Sequence, residues 1–401
     1  MRIVFLCGSL EIGKDGVSDY IRCLSTELIK QGNAVSAVAL NDRFITEKIV
    51  ETQNNDYISF SVLRIPSKTS ASRKSLWAKK WVEEFAPNWV SLQFVPYAYN
   101  IKGLPFGLAK LLSSLSGPFK WHIMFHELWI EERRPLSTMI VSHLQQLIIR
   151  HCVHKLKPSL VHVSIPFNKQ RLSRIGVQAA VLRLFGNILK RSPNALPVPF
   201  NNLPPTTKKI LYFGTAPRGE FLEQVVSELV NFCIKVPSPI SIVLVCGYTP
   251  MKDAFVQKLT ETLSGYGILI VDCGFVESDV LSSLLTECTV GIARSEIRYL
   301  GKSGSAIAML EHGLPIWVPK WKSEHALDYD FRDRLIFRDL ISAIKCTERP
   351  EYFSLLPEVA QQFINHINHN FNDTARFYPT LSTRSSDGFH YSSQNTTISS
   401  T

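Results

Sequence analysis

The sequence predicts an α/β protein with two parallel sheets, one in each half of the chain. Three observations carry this. Short, continuous apolar runs recur through most of the 401 residues, amphipathic helical patterns separate them, and a proline-rich polar stretch divides the series in two. Continuous apolar runs between helices are the pattern of parallel strands covered on both faces. Apolar residues make up 45% of the chain, enough for two domains that each bury a core.

The elements follow in order. RIVFLCG, from Arg2, reaches Gly8 and polar residues too soon for a signal peptide and reads as the first strand. The next loop carries Gly8, Gly13 and Gly16 and enters a helix with Val17, Tyr20, Ile21, Leu24 and Leu28 on one face. These glycines stand too far apart for a dinucleotide fingerprint, so the loop is either a ligand loop or an ordinary turn. AVSAVAL, WVSLQFV, WHIMFHE and LVHVSIP are further strands of the first half. A basic helix over Ser137 to Lys157 ends in Arg150, His151, His154, Lys155 and Lys157. Such a face is either simply solvated or in contact with an anionic membrane, and Lys79-Lys80 and Arg133-Arg134 raise the same choice.

PNALPVPFNNLPPTTKK then breaks the pattern, since Pro204-Pro205 can continue neither helix nor strand. ILYFGT, SIVLVCG, ILIVDCG, VGIAR and PIWVP are the strands of the second half. Glu351 to Asn372 has helical spacing through Phe353, Leu356, Val359, Phe363 and Ile367. The serine- and threonine-rich tail has little to bury and is expected to be disordered. The boundaries read from this are a first domain over 1–192, a linker over 193–208, a second domain over 209–348, a final helix over 349–375 and a tail over 376–401.

Composition narrows the function classes. No apolar run reaches the ~18–20 residues that span a bilayer. Eight scattered cysteines show no CxxC or Cys/His metal spacing and read as reduced core thiols of a cytoplasmic protein. A net charge of +10 suits anionic partners, but no nucleic-acid-binding module accompanies it.

The most informative segment is RSEIRYLGKSGSAIAMLEHGLPIWVP, from Arg294 to Pro319. A strand leads into a loop with Arg294, Arg298 and Lys302. The small residues Ser303, Gly304 and Ser305 then open a short helix that Gly313 can stop. A helix start without bulky side chains offers backbone N–H groups and the positive end of the dipole to an anion, here a diphosphate. Elsewhere in the second half, Gly214 follows a strand, and Arg218-Gly219 precede a helix beginning near Glu220. Arg218 is either a bidentate phosphate ligand or a surface charge. Gly274-Phe275-Val276 could border a base pocket. In the first half, His126 and Glu127 close the strand WHIMFHE, where His126 could polarise or deprotonate an acceptor and Glu127 orient it. Gln93 and Tyr97 stand at another strand end and either line the same cleft or cap a loop. His122 lies nearer mid-strand and reads as structural.

From Met1 to Asn372 this constellation resembles the GT-B glycosyltransferases, specifically the family-4-like group. The resemblance rests on the loop ending GVSDY, on His126, on Gly214 with Arg218-Gly219, and on GFVESDVLSSLLTECTVGIA followed by SGSAIAMLEHGLPIWV. It implies two Rossmann-like domains with parallel sheets facing across a cleft: an amino-terminal acceptor domain, a nucleotide-sugar domain, and a last helix crossing back to the first. By position, Gly16 would lie near the donor phosphates or the acceptor, and His126 would be the active-site histidine. Arg218 would replace a lysine, Thr215 would stand where an arginine is usual, and Ser303 to Ser305 would meet the diphosphate. Arg218 and Lys302 would stabilise the leaving diphosphate electrostatically. The implied activity is retaining hexosyl transfer from a nucleotide-diphosphate sugar, with no metal and no other cofactor. Its acceptor would be a glycan, a lipid-linked acceptor or a small molecule. The implied setting is polysaccharide biosynthesis in the cytoplasm, with peripheral contact at the inner membrane face. One departure stands out. The two family glutamates, seven residues apart, fall at Leu300 and Ala308, and neither Glu296 nor Glu311 restores the spacing. A non-catalytic relative therefore stays open as an alternative, and so does a sugar-nucleotide epimerase, which shares the same architecture.

Overall fold

The computed structural model describes residues 1–55, 57–131, 135–191, 196–216, 219–235, 239–245, 250–321 and 329–369. The expected tail and Arg133-Arg134 lie outside them, as do Arg218 and part of the expected linker. The first half contains β1 (Arg2–Cys7), α1 (Gly16–Lys30), β2 (Ala34–Asp42), β3 (Ile49–Asn55), β4 (Ile58–Pro66), α2 (Ala71–Phe85) and β5 (Trp89–Phe94). It continues with α3 (Pro96–Tyr99), α4 (Leu108–Ser113), β6 (Lys120–Phe125), α5 (Leu136–Leu156), β7 (Leu160–Val163), α6 (Pro166–Arg174) and β8 (Ala180–Val181). The second half has α7 (Val198–Asn201), β9 (Lys208–Phe213), α8 (Glu220–Lys235), β10 (Ile240–Val245), α9 (Pro250–Leu263), β11 (Leu269–Asp272), α10 (Ser278–Glu287) and β12 (Val290–Ile292). A 3₁₀ turn (Ile297–Lys302), α11 (Gly304–Glu311), β13 (Ile316–Trp317), β14 (Ile336–Phe337), α12 (Leu340–Lys345) and α13 (Leu356–Asn368) complete it.

Among the described residues the strands form two sheets, ordered β3-β4-β2-β1-β5-β6-β7-β8 and β11-β10-β9-β12-β13-β14. The second is parallel throughout. The first departs from the expected pattern at one edge, where β3 pairs antiparallel with β4. Neither strand is a continuous apolar run: IVETQNN is polar after its first two residues, and ISFSVLRIP alternates from Ile58 to Val62. An edge hairpin with one wet face needs no continuous apolar run. Chain order reverses beside β1, between β2 and β5, and beside β9, between β10 and β12. Ligands of open α/β sheets bind at such switch points, outside the carboxyl ends of the strands.

Helix α1 shows how sequence sets local structure. The Asp15 side chain accepts from the Val17 N–H at 3.0 Å, and Tyr20, Ile21, Leu24 and Leu28 form the buried face. Helix α13 begins at Leu356, five residues later than the spacing suggested. Phe353 precedes it half-exposed, so its fit to the helical period was accidental. Leu356, Val359, Ala360, Phe363 and Ile367 are the buried side of α13. Phe363 lies with its ring centroid 6.2 Å from that of Phe5 and 5.2 Å from that of His122, and Gln31 Nε2 donates to the Pro357 carbonyl at 3.2 Å. The last helix is thus packed on the first sheet. Burying Phe363 alone is worth about 1.5–3 kcal/mol to that docking. One apolar cluster accordingly spans both halves, from Phe5 and Tyr20 through Phe185 to Ile307, Leu310 and Phe363. No helix among the described residues is long and apolar enough to cross a membrane.

Candidate active site in the interdomain cleft

The first wall of the cleft comes from the carboxyl ends of β1, β5 and β6. Capping by Asp15 fixes the start of α1 and leaves the Gly16 backbone open, since a Cβ there would meet nothing within 4 Å. His126 follows β6 directly, its backbone N–H bonded to the Phe94 carbonyl at 3.1 Å. The Tyr20 ring stands edge-on to the imidazole at 4.9 Å, and Phe185 stacks on Tyr20 at 4.9 Å. Burial, with a smaller push from the Lys302 charge, lowers the His126 pKa to about 3. His126 is therefore neutral at pH 7. So weak a base suits hydrogen bonding better than deprotonation, which narrows the two roles the sequence allowed.

The second wall is the start of α11. The Ser303 hydroxyl caps it by accepting from the Ala306 N–H at 3.4 Å. The Gly304 and Ser305 amides belong to the first turn, where N–H groups have no intrahelical acceptor. Lys302 precedes them, its ammonium 5.7 Å from the centre of the Tyr299 ring. Burial lowers its pKa, and the carboxylates of Glu127 and Glu131 oppose that shift. Arg298 donates to Glu131 across the domain boundary at 2.9 Å, and Tyr299 bonds the same carboxylate. The walls are clasped together beside the site.

Between them lies a cavity of about 310 Å³ lined by Gly16, His126, Glu127, Lys302 and Gly304, with Asp15, Tyr20, Phe185 and Asn187. Five residues singled out from the sequence, drawn from both halves, meet there. Ser303 and Ser305 flank Gly304 at the rim. A second chamber of about 480 Å³ shares Asp15, Val95 and Glu127 and extends past Tyr97, Lys14, Arg43 and Phe44. Gln93 lines neither chamber. It is 1% exposed behind His126, its Oε1 2.8 Å from His126 Nε2, so it orients the imidazole instead of meeting an acceptor.

The other candidates stand off the cavity. Gly214 and Thr215 follow β9, Gly274 and the exposed Phe275 follow β11, and the exposed Arg294 follows β12. All occupy the carboxyl edge of the second sheet. Gly219 opens α8 with φ +61°, a left-handed conformation that favours glycine. Arg218 lies outside the described residues. A further cavity of about 470 Å³ surrounds Lys208, Thr289, Lys345 and Arg349. Lys208 begins β9 and Thr289 precedes β12, so that cavity sits at the amino edge, away from the switch point.

Leu300 and Ala308, the positions of the absent glutamates, are fully buried. Glu311, one turn beyond Ala308, is buried too, and its Oε1 accepts from the N–H groups of Gly186 at 3.1 Å and Leu355 at 2.9 Å. Its carboxylate fixes backbone and does not reach the cavity lining. Asp15, Phe185 and Asn187 escaped the sequence reading. Asp15 had a signal, an acidic residue just before a helix. Phe185 and Asn187 had none, because only the path of the chain after β8 brings them to the cleft.

No family model matches the chain. No curated protein matches it either. Solved structures do. A sucrose-phosphate synthase from Thermosynechococcus elongatus superposes with a TM-score of 0.56 at 16% identity, over 79% of this chain and 81% of that one. A UDP-forming α,α-trehalose-phosphate synthase from Burkholderia xenovorans, solved with glucose-6-phosphate, gives 0.56 at 8% identity over 92% and 100%. A structure assigned as a UDP-N-acetylglucosamine 2-epimerase from Listeria monocytogenes gives 0.52 at 11% identity over 92% and 96%. Likeness at such identities carries the architecture. With two Rossmann-like sheets whose carboxyl edges meet at one cleft, this chain has the GT-B fold.

Proposed function

We propose that this chain is a family-4-like GT-B glycosyltransferase that moves a sugar from a nucleotide-diphosphate donor to an acceptor with retention of anomeric configuration. One observation carries the reading. A neutral histidine and a carboxylate on one domain face a lysine and a helix amino terminus on the other, across a cavity of about 310 Å³. The helix start at Ser303 to Ser305 and Lys302 take the diphosphate, where the leaving charge develops. His126 bonds a sugar or acceptor hydroxyl, and Gly16 lets substrate approach the backbone. Gly214, Thr215, Gly219, Gly274, Phe275 and Arg294, from the carboxyl edge of the second sheet, hold the rest of the donor, and Arg218 joins them. The acceptor enters by the chamber past Tyr97 and Glu127. The nucleotide sugar is co-substrate, and no metal or other cofactor takes part.

The acceptor is a glycan, a lipid-linked acceptor or a small molecule, and the chain works in the cytoplasm, in polysaccharide biosynthesis. Exposed Leu136, Met139, Ile140 and Leu147 on α5, above the basic end of that helix, support peripheral contact with an anionic membrane. Sedimentation with anionic but not neutral vesicles tests that contact.

A thermal-shift panel of nucleotide-diphosphate sugars tests donor use directly, because a ligand of the folded state raises its apparent stability. No shift with any donor would end the reading. Arg218→Ala should cut turnover by about 10²-fold or more while the fold stays intact. The epimerase reading draws on the likeness to the Listeria structure and on the apolar residues at 300 and 308. Product analysis separates the two, since an epimerase converts the donor without any acceptor.

A further inference from the structure

Behind His126, on the side away from the cleft, a chain of polar side chains crosses the core of the first domain. His126 Nε2 donates to Gln93 Oε1 at 2.8 Å, and Gln93 Nε2 donates to Ser91 Oγ at 2.7 Å. Ser91 Oγ lies 2.7 Å from His122 Nδ1, and His122 Nε2 lies 3.0 Å from His162 Nδ1. His162 Nε2 then lies 2.8 Å from Nδ1 of His366, on α13. None of the six residues is more than 8% exposed. Ser91 and Gln93 come from β5, His122 from β6 and His162 from β7, so three adjacent strands carry the chain to the returning helix.

Burying so many polar groups is costly unless each is bonded, and here each link has its partner. The links also share one direction. The Gln93 amide donates to Ser91, so the serine proton goes to His122 Nδ1. His122 must then carry its proton on Nε2, and His162 and His366 follow in the same sense. Turning round any single imidazole sets two donors or two lone pairs against each other. Only two arrangements satisfy every group along the chain, the forward one and its complete reversal, which also turns over the Gln93 amide; a serine accepting from both sides would leave its own proton without an acceptor. Burial depresses the pKa of each histidine, so the rings are neutral and each has one proton to place. In the forward arrangement His126 leaves Nδ1 bare, and that nitrogen has no partner among the described residues. In the reversed one it would present an N–H.

We propose that His366 is a positioning residue for His126. By accepting at Nδ1 it holds the chain in the forward sense, and so keeps a hydrogen-bond acceptor, not a donor, on the cleft side of His126 for a substrate hydroxyl. Docking of the last helix thereby completes the site on the first domain. The substrate hydroxyl rests on the transferase reading; the direction of the chain does not.

Nitrogen NMR of the intact chain with ¹⁵N-labelled histidine, at pH 7.5 and without substrate, shows which ring nitrogen carries each proton. His122, His126 and His162 are expected as Nε2–H in the wild type. His366→Asn, whose amide oxygen can stand in for Nδ1, should keep that pattern. His366→Leu should reverse or mix the tautomers as far as His126 and lower kcat about 10-fold or more, with His366→Asn recovering most of the loss. A wild-type His126 protonated on Nδ1, or an unchanged His126 in folded His366→Leu, would overturn the proposal. Should His366→Leu not fold, Ser91→Ala cuts the chain midway. It should free the His126 tautomer while His162 and His366 keep theirs, and a single unchanged tautomer at His126 would be equally fatal. Forward tautomers in a protein that binds no nucleotide sugar would remove the transferase reading and leave this one standing.

Discussion

The two walls of the cleft are made of different materials. The first-domain wall presents a neutral imidazole, aimed by five buried polar side chains and packed against Tyr20 and Phe185. The second-domain wall presents a cation and the bare amides of a helix start, with Ser303 as its cap. Orientation does the work on one side and charge on the other. Such walls should fail differently: the first by losing its proton arrangement, the second by losing a charge.

The largest expected effect is on stability in acid. Burial holds the pKa of His122 and His126 near 3, and that of His162 well below the usual value. A depressed folded-state pKa contributes stability that is complete above the unfolded value of ~6.5 and is lost as pH falls toward the folded one. At pH 5 each of the two histidines held near 3 has given up about 2 kcal/mol, a large fraction of the stability of an ordinary domain, and His162 pushes in the same direction. Urea midpoints should therefore fall steeply between pH 6.5 and 5. A flat profile would mean that these imidazoles are charged or solvated, and the contrast between the walls would go with it.

Next in size is Lys302→Ala. If transfer proceeds as proposed, removing one preorganised charge from the developing diphosphate should lower kcat about 10²–10³-fold, with little change in melting temperature, because the side chain is only partly buried. Steady-state kinetics and a melting curve on one preparation check both halves of this. An unchanged kcat would move the diphosphate elsewhere along the carboxyl edge of the second sheet.

These walls were unequally legible in the sequence. The charged wall is local: Lys302, the three small residues and the helix stop at Gly313 lie within a dozen positions, so a helix-start argument could find them. The hydrogen-bonded wall is not, since its chain joins positions 91, 93, 122, 126, 162 and 366, and its last link spans 204 residues. Sequence reading reached His126 because it ends a strand, and read His122 as structural because it does not. The overlooked signal was a histidine inside the apolar strand LVHV, since a polar group in a buried strand requires a partner. The hairpin of β3 and β4 escaped for another reason. Its mostly polar β3 and partly alternating β4 suit an edge with one wet face, whereas a parallel strand covered on both faces is a continuous apolar run.

The smallest effect concerns the buried acid that ties the charged wall to its surroundings. Glu311, at the end of α11, accepts through Oε1 from Gly186 and Leu355, while its Oε2 is buried without a partner among the described residues. Burial outweighs both hydrogen bonds and raises its pKa to about 7. The sign is opposite to that of the histidines. An acid whose folded pKa is raised destabilises the fold as pH climbs from the unfolded value of ~4.3 through the folded one, since the unfolded chain loses its proton first. Glu311→Gln keeps an oxygen for both N–H groups and removes the charge, so it should be more stable than wild type by about 1–3 kcal/mol at pH 8.5 and no more stable at pH 5. Denaturant titrations at the two pH values measure the difference. Equal stabilities at pH 8.5 would show that the carboxylate is solvated or paired.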